Sequence, residues 1–255
     1  MARELRRLLI GSDRLRAVGD GLLPLTAEES RYLERVLRYR PGDRFAVVDG
    51  AGGLWSAFLR EGRQAELEQP LAAPLQRQPQ PQPQLLLAAA VVKRDFEVVV
   101  RMAVELGVDR LVPLVCERTA VHGQLRPDRW RSIATEAAEQ CERLWQPTIE
   151  APMELAELLD GDEPGALNLW ASARGEERSD LGALLDQISL ARDALPPLIR
   201  LACGPEGGWS EAEERWALER GWRAIGLGPR ILRSSTASVA GLSTLSLWRA
   251  RSSGC

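Results

Sequence analysis

No uninterrupted run of about 18 apolar residues occurs in the chain, so nothing in it reads as a membrane-spanning helix. The opening MARELRRLLIGSDR is too charged for the apolar core of a secretory signal peptide, which makes a cytoplasmic protein the expectation. His122 is the sole histidine, and the four cysteines, Cys116, Cys141, Cys203 and Cys255, stand far apart without a C-x-x-C pair. That set cannot assemble a zinc cluster, so no metal is expected and the thiols should be reduced and mostly buried. Positive charge is not in excess either: the formal net charge is −3, which argues against a molecule coated in nonspecific positive potential. Lysine is nearly missing, with Lys93 the only one among 33 basic residues. Arginine supplies the rest, offering a planar fork for phosphates and a face for stacking on bases. A genome rich in G and C would produce the same bias.

What is present is apolar bulk. At 255 residues and 45% hydrophobic composition, the chain can fill two cores, or one large α/β core with an accessory module. Residues 1–70 read as a β-rich module. RFAVVDG, Arg44 to Gly50, a turn at AGG, then LWSAFLRE and QAELE suggest strands joined by a hairpin at Gly50–Gly53. Before them, TAEESRYLERVLRYRPGD reads as a helix with a capping box of Thr26 and Glu29, stopped by Pro41 and Gly42. Arg31, Arg35 and Arg38 recur at i, i+4 and i+7 and should share one face of it. That face is either a stripe for RNA or a solvated surface balanced by Glu28, Glu29 and Glu34.

Residues 71–84 lie in a Pro/Gln stretch with neither helical nor strand periodicity and read as a linker. From 85 to 255 strand and helix patterns alternate five times: LLLAAAVV, RLVPLV, ALNLWASA, LIRLACG and WRAIGLG are each followed by a helical pattern. That order predicts a parallel sheet with helices on both faces, which binds ligands at the carboxyl ends of its strands. Two glycine–proline loops emerge at such ends, GPEGG at Gly204–Gly208 and LGPRILR at Leu227–Arg233. The first is neither a Walker loop nor G-x-G-x-x-G, so a phosphate cradle is not expected. Ser210 and Glu213 form a capping box for the next helix, and a tight left-handed turn feeding that helix would explain Gly207 and Gly208 without any ligand. Two such loops side by side would instead form a pocket walled by main chain, suited to a flat, uncharged ligand.

GPEGGWSEAEE followed by LGPRILRSSTA resembles the paired signatures of the bacterial 16S rRNA uridine-N3 methyltransferases of the SPOUT, or α/β-knot, superfamily. KRDFEVVVRMAVELGV, CERT, RWRSIATEAAEQCERLWQPTI and RYLERVLRYRPGD look like further blocks of that family, in order along nearly the whole chain. The resemblance implies a small PUA-like β-barrel for RNA, followed by a knotted parallel-sheet methyltransferase domain that binds S-adenosylmethionine and dimerises through the knot. The last helix, about Ser235 to Arg251, would be the threaded element. In the second signature the family has Thr-Glu-Thr-Ala where this chain has Ser234, Ser235, Thr236 and Ala237, so an acidic side chain is missing. Arg101 stands where lysine is common.

The same resemblance places the cofactor against Leu201, Gly204, Gly207 and Gly208 of the first loop and Ile225, Leu227, Gly228, Ile231 and Leu232 of the second. Uridine N3 carries a proton, so its methylation needs a group to accept that proton or to stabilise the uracil anion. Glu206 is a candidate base, or else a rigid part of the turn. Arg230 and Arg233 could hold phosphate or steady charge on the uracil oxygens, or cap carboxylates of a neighbouring helix. Glu136, Gln140 and Arg143 would fall within about 60° of one another on a helix at 100° per residue, lining an RNA cleft or forming a surface trio. The expected function is S-adenosylmethionine-dependent methylation of a uridine N3 in 16S rRNA of the small ribosomal subunit, by a homodimer. The competing class is a noncatalytic RNA-binding assembly factor that keeps the knot fold.

Overall fold

The computed structural model describes residues 5–18, 21–121, 125–161, 163–174, 178–191 and 195–252, so His122 and Cys255 lie outside the described residues. The chain divides into two compact units, Met1–Gln80 with Ala138–Gln146, and Pro81–Ala137 with Pro147–Cys255. Among the described residues, no helix is long and apolar enough to cross a membrane.

The first unit runs β1 (Arg7–Leu9), α1 (Ser12–Arg16), β2 (Leu22–Pro24), α2 (Ala27–Arg31), a π-helical turn (Tyr32–Val36), then β3 (Arg44–Val48), β4 (Gly53–Arg60), β5 (Gln64–Leu67) and β6 (Gln76–Arg77). Its mixed sheet has the order β1-β3-β4-β5-β2, with β6 on β4; among the described residues only β1 and β3 pair in parallel. The expected hairpin joins β3 to β4. Asp49 Oδ1 accepts the N–H groups of Ala51 at 2.7 Å and Gly53 at 2.8 Å, and Gly52 has φ +91. A Cβ on Gly52 would stand 2.3 Å from Gln78 O, so only glycine fits.

Thr26 and Glu29 form the expected capping box at the start of α2. Arg38 does not stay on the shared arginine face, because the helix widens and ends before it. Leu37 N–H donates to Tyr32 O, five residues back, and Arg38 then turns into the left-handed region at φ +59. Tyr32, Leu33, Leu37 and Tyr39 pack on the core of the unit around this widened turn. The Pro/Gln stretch also does more than span. Gln76 and Arg77 pair with Leu54 and Gly53, a backbone contact that requires no side-chain periodicity.

The second unit contains β7 (Gln84–Ala90), α3 (Phe96–Glu105), β8 (Arg110–Val115), α4 (Pro127–Gln140, its last turn counted with the first unit), β9 (Thr148–Ile149), β10 (Met153–Glu154) and α5 (Leu155–Asp160). It continues through β11 (Leu167–Ala171), β12 (Ser179–Asp180), α6 (Leu181–Leu190), β13 (Leu198–Cys203), α7 (Glu211–Glu219), β14 (Arg223–Gly226) and α8 (Ser234–Ser252). Every pairing in its sheet is parallel, in the order β10-β8-β7-β13-β11-β14-β12 with β9 on β8. β7 and β13 are the inner strands, buried almost without a break as LLLAAA and LIRLAC, as expected where helices cover both faces. β8 lies on one side of β7 while β11, β13 and β14 fill the other, so the chain reverses direction across the sheet beside β7.

The thiols follow the expectation where they are described. Cys116 and Cys203 are buried, and Cys141 is half-buried. Desolvation pushes both buried thiols up to about 12, with the carboxylate of Glu213 adding to the effect at Cys116. The neutral thiol therefore persists far above the usual range. We predict that an alkylating reagent at pH 8 modifies neither Cys116 nor Cys203 in the native protein and modifies both after denaturation, read by mass spectrometry.

Candidate functional site

The loops that leave the carboxyl ends of β7, β8, β11, β13 and β14 all line one cavity of about 780 Å³, within the range of about 300–1,000 Å³ typical of ligand sites. The loop after β13 is fixed at both ends. Trp209 is 9% exposed, donates from its indole N–H to Ala171 O at 2.9 Å, and stacks on Trp170 with ring centroids 3.8 Å apart. Gly204 sits against that indole, and a Cβ there would be 2.8 Å from the ring. Downstream, Ser210 accepts the Glu213 N–H at 3.3 Å while Glu213 accepts the Ser210 N–H at 2.8 Å, closing the expected box at the start of α7. The other oxygen of Glu213 takes the N–H of Glu117 at 2.9 Å, tying the turn after β8 to the same point.

The second loop lies beside the first. Ser234, opening α8, donates from its hydroxyl to Gly204 O at 2.5 Å. Gly241 of α8 packs so closely that a Cβ would lie 2.7 Å from Leu201 and 3.4 Å from Leu227. Gly208 at φ +70 and Gly228 at φ +107 both take the left-handed conformation, and both have open space where a side chain would begin. The tight-turn reading thus accounts for the backbone of Gly208. It does not account for the open volume between the two loops.

Gly204, Glu206, Gly207, Gly208, Leu227, Gly228, Arg230, Ile231, Leu232 and Arg233 all line the cavity. Leu201 and Ile225 do not; both are fully buried in the strands beneath it. The arginines Arg31, Arg35 and Arg38 belong to the first unit and are not part of the lining. The trio on α4 requires correction. The helix ends at Gln140, Glu142 takes φ +64, and Arg143 donates from Nε to Trp145 O at 3.0 Å, so Arg143 shares no helix face with Glu136 and Gln140.

The sequence reading missed Arg94, Asp95, Arg118, Arg174 and Arg178 as cavity residues. The signals were faint. Asp95 holds a left-handed backbone at φ +68 without capping α3 through its side chain, which leaves its carboxylate to the cavity. Arg178 donates from Nη1 to the carbonyls of Ser172 at 3.3 Å and Ala173 at 2.5 Å, bracing the turn after β11. Among the described residues the cavity has six arginines against four carboxylates, a positive lining in a chain of net charge −3. A lining of this charge favours anionic groups such as phosphates at the mouth of the pocket, and its main-chain walls suit a flat, uncharged part.

Comparison with known proteins agrees. Residues 78–246 match the family model of an RNA methyltransferase domain, and residues 25–68 match that of an RNA methyltransferase PUA domain. A ribosomal RNA small subunit methyltransferase E from Synechocystis is 37% identical over 89% of this chain and 73% of its own. One from Rickettsia conorii is 28% identical over 85% of each. Among solved structures, a ribosomal RNA small subunit methyltransferase E from Neisseria gonorrhoeae bound to S-adenosyl methionine superposes with a TM-score of 0.78 at 27% identity, covering 96% of this chain and 98% of that one. A methyltransferase from Legionella pneumophila in complex with the same cofactor gives 0.80 at 26% identity, again over 96% and 98%.

Proposed function

The chain belongs to the ribosomal RNA small subunit methyltransferase E family, and from that membership we propose that it methylates N3 of a uridine in 16S rRNA with S-adenosylmethionine as donor. The observation that carries this reading is the pair of glycine loops joined by the bond from Ser234 to Gly204, with an open volume between them. When bound, S-adenosylmethionine supplies an electrophilic methyl on a sulfonium sulfur. The chain supplies alignment. Gly208 and Gly228 leave room for the donor to approach the backbone, and Leu227, Ile231 and Leu232 offer it apolar walls. Leu201 and Ile225 support the slot from below rather than touching its contents.

In this proposal Glu206 accepts the proton from uridine N3, supported by its place in the lining of the loop that holds the donor. Arg230 and Arg233, both exposed in the opposite loop, steady the negative charge that develops on the uracil oxygens or hold the adjoining phosphates. The first unit grips RNA backbone through Arg31 and Arg35. Two copies make the working enzyme. Incorporation of labelled methyl from S-adenosylmethionine into 16S rRNA, in small subunits from a strain lacking its own enzyme, tests the reading; an unlabelled 16S rRNA would defeat it.

Reversing charge at both Arg31 and Arg35 to glutamate should weaken RNA binding and flatten its salt dependence, by about 0.9 log units of slope per lost phosphate contact on a duplex. Affinity for S-adenosylmethionine should not change. Filter binding across a salt series checks the first expectation and calorimetry the second. An undiminished salt slope would assign that helix to solvent.

A further inference from the structure

Arg118, in the turn after β8, touches the GPEGG loop at more points than any role in the reaction given above requires. Its Nη1 donates to Gly207 O at 3.2 Å and to Trp209 O at 3.0 Å, one hydrogen to each carbonyl. Its stem lies along the same residues, so that a Cβ on Gly207 would be 3.2 Å from Arg118 Cβ and 3.4 Å from Cδ. The two carbonyls flank Gly208, the glycine that takes the left-handed bend of the loop. Within the loop, the one backbone bond that closes the bend runs from Gly208 N–H to Pro205 O at 2.9 Å.

The anchor itself is rigid. Thr119 is 1% exposed and accepts the Cys116 N–H on its hydroxyl at 2.9 Å, while the Glu117 N–H is held by Glu213. Arg118 therefore projects from a turn fastened on both sides, and one nitrogen of its guanidinium, Nη1, bridges the two carbonyls.

We propose that Arg118 is a positioning residue that holds the Gly207–Trp209 main chain in the shape that receives the methyl donor; the inference rests on the S-adenosylmethionine reading of this site. It acts through the loop and not on the reacting atoms. Releasing the loop leaves the bound geometry attainable but less populated, so the donor has to select it.

Arg118→Met should raise KM for S-adenosylmethionine about ten- to hundredfold, as for loss of hydrogen bonds from a charged donor, while kcat at saturating donor falls far less. Arg118→Lys should recover part of that affinity, since an ammonium can donate to the same carbonyls from a shorter side chain. Amide exchange at Gly208 and Trp209 should quicken in Arg118→Met with no ligand present. A fall in kcat at unchanged KM would overturn the proposal by placing Arg118 on the RNA or the reacting atoms. Unchanged KM together with unchanged exchange would overturn it by showing the tie to be idle. Failure of the unaltered protein to take up S-adenosylmethionine would remove the premise and overturn it too, and the ligand-free exchange data separate that outcome from failure of the tie.

Discussion

Replacing Gly207 with valine is expected to weaken binding of S-adenosylmethionine at least about a hundredfold, close to 2.7 kcal/mol, measured by calorimetric titration. The first added carbon already meets Arg118 Cβ at 3.2 Å, a distance at which the neighbour has to give way. The two further methyls of valine then go either into the Arg118 stem or into the slot. The first choice breaks the bonds from Arg118 to Gly207 O and Trp209 O, and the second fills the volume meant for the donor. Neither leaves the binding surface intact. The fold should persist, because Gly207 is exposed and a carbon added there meets Arg118, not the stacked Trp209 and Trp170. Gly11→Ala is the matched control: no atom lies within 4 Å of its added carbon, so affinity should stay as it was. Equal affinity in Gly207→Val would contradict the slot as described.

Removing the guanidinium of Arg249 should destabilise the second unit by about 3–5 kcal/mol, the cost of leaving a buried carboxylate without its partner. Arg249 and Asp109 pair at 2.5 Å with their side chains 11% and 8% exposed. Arg249 also donates to Gly107 O at 2.7 Å and Pro83 O at 3.2 Å, and Asp109 accepts the Leu85 N–H at 2.9 Å. One ion pair thus fastens the end of α8 to the starts of β7 and β8. Those are the elements beneath the site, and α8 is the helix whose Gly241 packs on Leu201 and Leu227. Arg249→Met should therefore lower Tm by about 10 °C, at roughly 2–4 °C per kcal/mol for a domain of this size. Thermal melts of the variant check this. A fall of less than 2 °C would show the pair to be balanced by its own desolvation.

Much of this architecture was legible in the order of residues. The five β7, β8, β11, β13 and β14 strands each announce themselves as short apolar runs followed by a helical pattern, and their parallel pairing follows from that alternation. The capping boxes at Thr26 and Ser210 are local chemistry and formed as read. The glycine loops were visible as bare backbone; their meeting was not, because β11 lies between β13 and β14, and it is α8, through Ser234 on Gly204 O and Gly241 against Leu201 and Leu227, that joins them.

What failed did so where a long-range contact overrode a local period. The helix opens into a π turn over Tyr32–Val36, and the chain then leaves it at Arg38, φ +59, to bring Tyr39 onto the same core as Leu33 and Leu37, which takes Arg38 off the arginine face. Arg143 was counted on α4 by extending 3.6 residues per turn past Gln140, but the chain turns at Glu142 and Leu144 packs against Ala46, Val48 and Leu54. Arg118 carries no spacing that ties it to Arg174 and Arg178, because it comes from the turn after β8 and they come from the turn after β11. Only the sheet order brings them together.

The most direct measurement is a crystal structure grown with S-adenosylmethionine. The donor should lie between Gly204–Trp209 and Leu227–Arg233, against Gly208 and Gly228. Density for it elsewhere, or a slot closed by the side chains of Ile231 and Arg118 at saturating donor, would contradict the account and leave a noncatalytic RNA-binding factor in its place.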